Sequence, residues 1–141
     1  MKVKDIMTSP VIHISPGESV EVAARTLAHY NIGILPVCTG NGTLCGMVTD
    51  RDLVTRCLAA NRSPAKTTVR EVMTNSVLSV KPDTDAGVAA HLMGRQQVRR
   101  LPVVEDGKLC GMVALGDLAV REESVMDAAD ALMDISSNVR R

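Results

Sequence analysis

Apolar positions along this chain switch between two periodicities, and the same order of switching occurs twice. Val11-Ile12-His13-Ile14 is a short β-branched stretch closed by Ser15-Pro16, which predicts a strand. Val20, Ala23, Ala24, Leu27 and Ala28 then recur at helical spacing, with Ser19 placed to cap the helix. Two apolar runs follow, Ile34–Cys38 and Leu44–Val48, separated by a loop that carries Asn41-Gly42; they predict a hairpin. A second helix opens at Asp50 or Asp52 and runs through Leu53, Val54, Cys57 and Leu58.

The second half repeats the first. Val77–Val80 stands for the first strand, Asp85 caps a helix with Ala86, Ala89, Ala90 and Met93 on one face, and Leu101–Val104 with Lys108–Val113 flank Asp106-Gly107. A closing helix starts near Asp117. Residues 5–37 align with 71–103 at a constant offset, pairing Leu35-Pro36-Val37 with Leu101-Pro102-Val103. One residue is lost in the Gly-bearing turn, after which Leu44-Cys45-Gly46-Met47-Val48 matches Leu109-Cys110-Gly111-Met112-Val113. A single register held this far marks a duplication. Each β-α-β-β-α unit is too short to bury a two-sided sheet alone, so the copies are expected to pack about a pseudo-twofold axis in an α/β (α+β) fold. The expected organisation is a first repeat over 1–59, a linker over 60–68, a second repeat over 69–123 and a helical tail over 124–141. In the tail, Val125, Ala128, Ala129, Leu132 and Met133 fall on one face, and Ser124 and Asp127 have capping-box spacing. That face is expected to cover the N-terminal segment or a partner subunit.

Composition narrows the function. Tyr30 is the only aromatic residue, so the core must be Val, Leu, Ile, Ala and Met, and base stacking on aromatic side chains is excluded. Sixteen basic residues balance sixteen acidic ones, which leaves no global field for nucleic acid or an anionic membrane. No apolar run reaches membrane-spanning length and MKVKDIMTS lacks a secretory core, so the expected location is the cytoplasm. The four cysteines, with no CxxC pair, read as small buried hydrophobes. No metal site is expected. His29 and His91 do not align, and Cys45 with Cys110, like Met47 with Met112, read as equivalent packing positions.

DIMTSPVIHISP and EVMTNSVLSVKP open the two copies, and ILPVCTGNGTLCGMVTDRDL and RLPVVEDGKLCGMVALGDL close them. With these motifs the chain resembles the tandem cystathionine-β-synthase (CBS) domain pair, or Bateman module, in a small free-standing form, over residues 1 to about 120. The resemblance implies a regulatory module that binds an adenine nucleotide, AMP, ADP or ATP, or a related adenosyl compound, in clefts between paired domains. It implies a homodimer through helical faces, a regulated protein partner, no required cofactor, and no direct contact with nucleic acid or membrane.

The family's ligand signature is complete as Gly46-Met47-Val48-Thr49-Asp50-Arg51-Asp52. Thr49 and Asp52 lie three apart where a strand turns into a helix, so both can face one pocket or both can serve as caps. A carboxylate there accepts from ribose hydroxyls; the resemblance gives Asp52 the ribose and sets Thr49 toward phosphate or ribose. The second copy keeps Asp117 but carries Ala114 where the Thr belongs, with Gly116 in place of Arg51, so the first site is expected to bind better. Arg99 and Arg100, aligned with Gly33 and Ile34, are candidates to neutralise phosphate or to lie as solvated surface groups. By resemblance the adenine wall is Val11, Ile12, Ile34 and Pro36, or Val77, Val98 and Pro102. Base selection then falls to backbone near Ile12 and His13, or Leu78 and Ser79. No nucleophile has an evident base partner and no carboxylate pair recurs, so the chain is read as a non-enzyme with no catalytic residue. The alternative is a CBS-pair dimer that kept the fold as a scaffold without nucleotide control.

Overall fold

The computed structural model describes residues 1–121 and 124–137. The chain forms two compact units, each with its own apolar core. One is Ile12–Val77; the other joins Met1–Val11 to Leu78 onward. The units are therefore not collinear with the sequence repeats, because the opening segment of each copy packs into the unit of the other.

In the Ile12–Val77 unit, α1 (Val20–Tyr30) starts at Ser19, whose Oγ accepts the Val22 amide at 3.1 Å. It ends at Asn31 in the left-handed conformation, φ 52°. Strands β1 (Ile34–Cys38) and β2 (Leu44–Thr49) form an antiparallel hairpin with a bulge at Val37/Cys38. A four-residue helix α2 (Asp50–Leu53) runs directly into a π-helical turn, Val54–Leu58. The stretch 60–68 is packed: Thr67 is buried and its carbonyl accepts the Val20 amide at 2.8 Å. A short helix α3 (Val69–Val72) follows and buries Val69 and Val72 in the same core.

The other unit repeats this plan with α4 (Ala86–Gln96), capped by Asp85 through the Gly87 amide at 2.9 Å. Its hairpin is β3 (Arg100–Glu105) and β4 (Lys108–Ala114), turning at Asp106 and Gly107. Both turn residues have positive φ, 52° and 80°, the geometry that joins strands with the right twist. Helix α5 (Leu115–Ala119) closes the repeat, and α6 (Val125–Ser137) packs on α4 and α5.

Three expectations need correction. The opening stretches 11–14 and 77–80 do not form strands; each keeps one parallel bridge, Ile14 to Val37 and Val80 to Val103. Ile14 donates to the Pro36 carbonyl at 3.0 Å and accepts from Cys38 at 2.9 Å, but Pro36 has no N–H to extend the ladder and Pro16 follows. Pro102 and Pro82 impose the same limit on the second copy. Second, α6 docks through Ala128, Ala131 and Ile135, which are buried, while Val125, Leu132 and Met133 of the expected face stay open. Small residues decide this: a Cβ on Gly94 of α4 would stand 3.2 Å from the Ala131 Cα, so the helices meet along their least bulky sides. Third, the Ser124 hydroxyl donates to the Leu118 carbonyl at 2.7 Å instead of closing a box with Asp127. Residues 122 and 123 of the expected second repeat and 138–141 of the expected tail lie outside the described residues.

The crossed-over segments lock onto glycines in the sheets. Met47 and Thr74 exchange backbone bonds at 3.0 and 2.9 Å beside Gly46, where the Met73 thioether fills the space a Cβ would take. Thr8 and Met112 do the same at 2.8 and 3.0 Å beside Gly111 and Met7. A capping box steadies α3: Glu71 accepts the Thr68 amide at 2.7 Å and its hydroxyl at 3.0 Å, and it pairs with Arg62. These bonds, the amide foremost, hold the Glu71 carboxyl below its ordinary value of 4.5. A depressed folded value means the contribution is complete above the unfolded value and is lost as pH falls through the folded one. Urea midpoints are expected to drop for this reason between about pH 5 and pH 3, less steeply in Glu71→Gln; identical pH profiles would deny Glu71 this role.

Candidate functional site

The ligand candidates cluster at the corner where the second strand of each hairpin becomes a helix. At the β2–α2 corner, Asp52 Oδ2 accepts the Thr49 amide at 2.9 Å, and Thr49 Oγ1 accepts the Asp52 amide at 3.1 Å. This is a reciprocal capping box with Asp at the third helical position. It holds both side chains in one geometry at the end of β2 and leaves Asp52 Oδ1 engaged only by Arg56, whose Nε lies 3.8 Å away. Arg56 is itself anchored, its Nη1 donating to the Val72 and Met73 carbonyls at 3.1 and 3.3 Å. The Asp52 side chain is 15% exposed, so the carboxylate is largely screened from water. Across the corner Ile34 pairs with Thr49, and the Asp50 amide donates to the Gly33 carbonyl at 3.0 Å, tying the start of β1 to the helix.

The β4–α5 corner keeps the skeleton and changes its chemistry. Asp117 Oδ2 accepts the Ala114 amide at 2.9 Å and the Leu115 amide donates to the Arg99 carbonyl at 2.8 Å. Ala114 has no hydroxyl to return the bond. Arg100 pairs with Ala114 in the sheet, and both Arg99 and Arg100 are exposed. A cavity of about 500 Å³ opens beside this corner, bounded by the two arginines and Leu115 on one side and by α6 on the other.

The other candidates divide by burial. Ile12, His13, Leu78 and Val98 are exposed, Ile34 is half-buried, and Pro36 and Pro102 are buried in the middle of their strands. Ile12, His13, Ile34, Pro36, Thr49 and Asp52 belong to one unit, and Leu78, Arg99, Arg100, Pro102, Ala114 and Asp117 to the other. The equivalent thiols Cys45 and Cys110 donate to the Val37 and Val103 carbonyls at 3.3 and 3.2 Å. Burial, with Cys45 nearby, pushes the Cys38 thiol up to about 11, which leaves it protonated and inert at neutral pH. Among the described residues no three His, Cys, Asp or Glu side chains converge on a common point. None of the described helices is long and apolar enough to cross a membrane.

Sequence reasoning passed over Arg56 and the α6 wall of the cavity. Arg56 carried a faint signal, since it lies four residues after Asp52 on one helical face.

This duplicated arrangement is that of a CBS domain pair, and the CBS domain family model matches residues 3–59 and 69–124. The chain belongs to the CBS domain family. It is 42% identical over 134 residues to the CBS domain-containing protein YhcV of Bacillus subtilis (strain 168), spanning 95% of this chain and 94% of that one. It is 34% identical over 116 residues to hypoxic response protein 1 of Mycobacterium tuberculosis (strain H37Rv), 82% of this chain and 81% of that one. Among solved structures it resembles Hypoxic Response Protein I with two coordinated zinc ions (TM-score 0.79, 33% identity, 84% of this chain and 97% of that one). It also resembles the CBS domain pair of protein MJ0100 in complex with 5′-methylthioadenosine and S-adenosyl-L-methionine (TM-score 0.74, 32% identity, 84% and 93%).

Proposed function

We propose that this chain is a non-catalytic regulatory module that binds an adenosine-containing small molecule and converts occupancy into altered contact with a partner. One observation carries the reading: at the β2–α2 corner a carboxylate is fixed by a backbone amide through one oxygen, while its second oxygen meets only the Arg56 guanidinium, 3.8 Å away. Asp52 takes the ribose hydroxyls, Thr49 lies beside the ribose or phosphate, and Ile12 and Ile34 supply apolar contact for adenine. In the second copy Asp117 takes the ribose role and Arg99 and Arg100 meet phosphate, with one hydroxyl fewer at Ala114. The similarity to a CBS pair that holds two adenosyl compounds supports the ligand class. AMP, ADP and ATP are the expected nucleotides. Ligand binding favours one arrangement of a homodimer over another, and the partner reads that arrangement.

Calorimetry tests this with AMP, ATP and S-adenosylmethionine titrated into protein stripped of bound ligand. Asp52→Ala is expected to weaken binding by about 1.5–3 kcal/mol, tenfold or more, because a charged acceptor is lost. Asp52→Asn, which keeps the amide contact, separates that loss from a failure of the helix cap. Equal affinity in wild type and both variants would remove Asp52 from the site. The absent hydroxyl at Ala114 favours a second reading, a scaffold dimer without nucleotide control, and silence toward every adenosyl compound would select it.

A further inference from the structure

We propose that the groove between α5 and α6 is a binding site for a small anion carried on an apolar body, separate from the adenosyl site at Asp52 and competing for the Arg99 and Arg100 that the second copy otherwise offers to phosphate. The two corners differ in charge, and the net change at this one is toward positive. Thr49, Asp50 and Arg51 of the first corner become Ala114, Leu115 and Gly116, so a hydroxyl and an acid–base pair of opposite charges are removed. Gly33 and Ile34 become Arg99 and Arg100, so two cations are added. Among the described residues no acidic side chain lines the groove and neither arginine has an ion-pair partner. Arginine forks at the rim of an apolar space match a carboxylate, sulfonate or phosphate head.

The groove is built by the way α6 docks. Ala128, Ala131 and Ile135 hold the helix down, while Val125, Ala129 and Leu132, at i, i+4 and i+7, form the open wall. Val125 and Leu132 are each 42% exposed. A Cβ on Gly116 would meet nothing within 4 Å, so the space extends to the helix start. About 500 Å³ lies within the range of small-molecule pockets, and a ligand body seated there would cover the apolar wall while its head meets the arginines.

Decanoate is the probe, titrated by calorimetry without nucleotide, so that failure here leaves the Asp52 reading standing. One saturable site is expected, and decanol, the same body without charge, should bind at least about tenfold more weakly. Ala129→Trp, which fills the groove from its open wall, should abolish binding while thermal unfolding stays at the wild-type temperature; should that variant unfold, Leu132→Gln takes its place. Arg99→Gln and Arg100→Gln together should bring decanoate down to the affinity of decanol. Equal affinity for decanoate and decanol, undiminished binding in the groove variants, or no binding by wild type would overturn the proposal. A concentration-dependent dimer dissolved by Ala129→Trp, in protein that ignores decanoate, would also overturn it and assign the groove to a second copy.

Discussion

Leu118→Ala is expected to destabilise the unit containing α5 and α6 by about 2–5 kcal/mol, the largest effect of any single truncation considered. Leu118 is fully buried in the core that joins Val3 and Ile6 of the N-terminal segment to α4, β3 and β4. Its removal costs the transfer free energy of the lost methyl groups and leaves a cavity in that core, which the surrounding elements fill only in part. Urea denaturation followed by circular dichroism reads the loss as a lower midpoint. Val120→Ala, two residues on but 83% exposed, should change stability by no more than about 0.5 kcal/mol. A shift for Leu118→Ala as small as that of Val120→Ala would mean that this core is not closed in solution.

Gly46→Ala is expected to cost about 1–3 kcal/mol, the range for forcing an extra group into a packed interior. A Cβ there would fall 2.6 Å from Met73 Sδ and 2.8 Å from the Thr74 carbonyl oxygen. The thioether can swing aside, but the carbonyl is backbone, and it accepts the Met47 amide across the bridge. The substitution therefore breaks the attachment of the segment from the second repeat to the first sheet. At the equivalent Gly111 the carbonyl of Thr8 stands farther off, 3.1 Å, and most of the conflict is with Met7 Sδ, at 2.5 Å. Gly111→Ala should be the milder of the two, and proteolysis near residue 74 should accelerate in Gly46→Ala alone. Equal stability of Gly46→Ala and wild type would show that the segment is not held as described.

The elements that were legible from the residues are those with local causes. Ser19 and Asp85 cap helices because their side chains reach amides within one turn, and the Asn41-Gly42 and Asp106-Gly107 turns close hairpins because they tolerate positive φ. The family resemblance and the repeat register located Thr49, Asp52 and Asp117 at strand-to-helix corners, which is where they stand. What was not legible depends on distant partners. Nothing within residues 1–11 says that they complete the second sheet; that follows from the fit of Met7 on Gly111. The docking face of α6 was misjudged because periodicity favours the bulkiest apolar side chains, whereas close approach to α4 favours the smallest. The α3 cap, by contrast, was available: Thr68 and Glu71 have the spacing of a capping box and stand before an apolar pair.

The crossed opening segments bear on how the protein is made. A ribosome releases Val3 and Thr8 early, yet their hydrogen-bond partners are Thr84 and Met112. At about 5–20 residues per second, the wait from Thr8 to Met112 is on the order of 5–20 s. The unit Ile12–Val77 has all its residues once Val77 emerges, while residues 1–11 wait for Thr84 and then Met112 before their backbone bonds can form. Vectorial synthesis thus imposes an order: the unit Ile12–Val77 can close first, and the opening segment finds its partners only later.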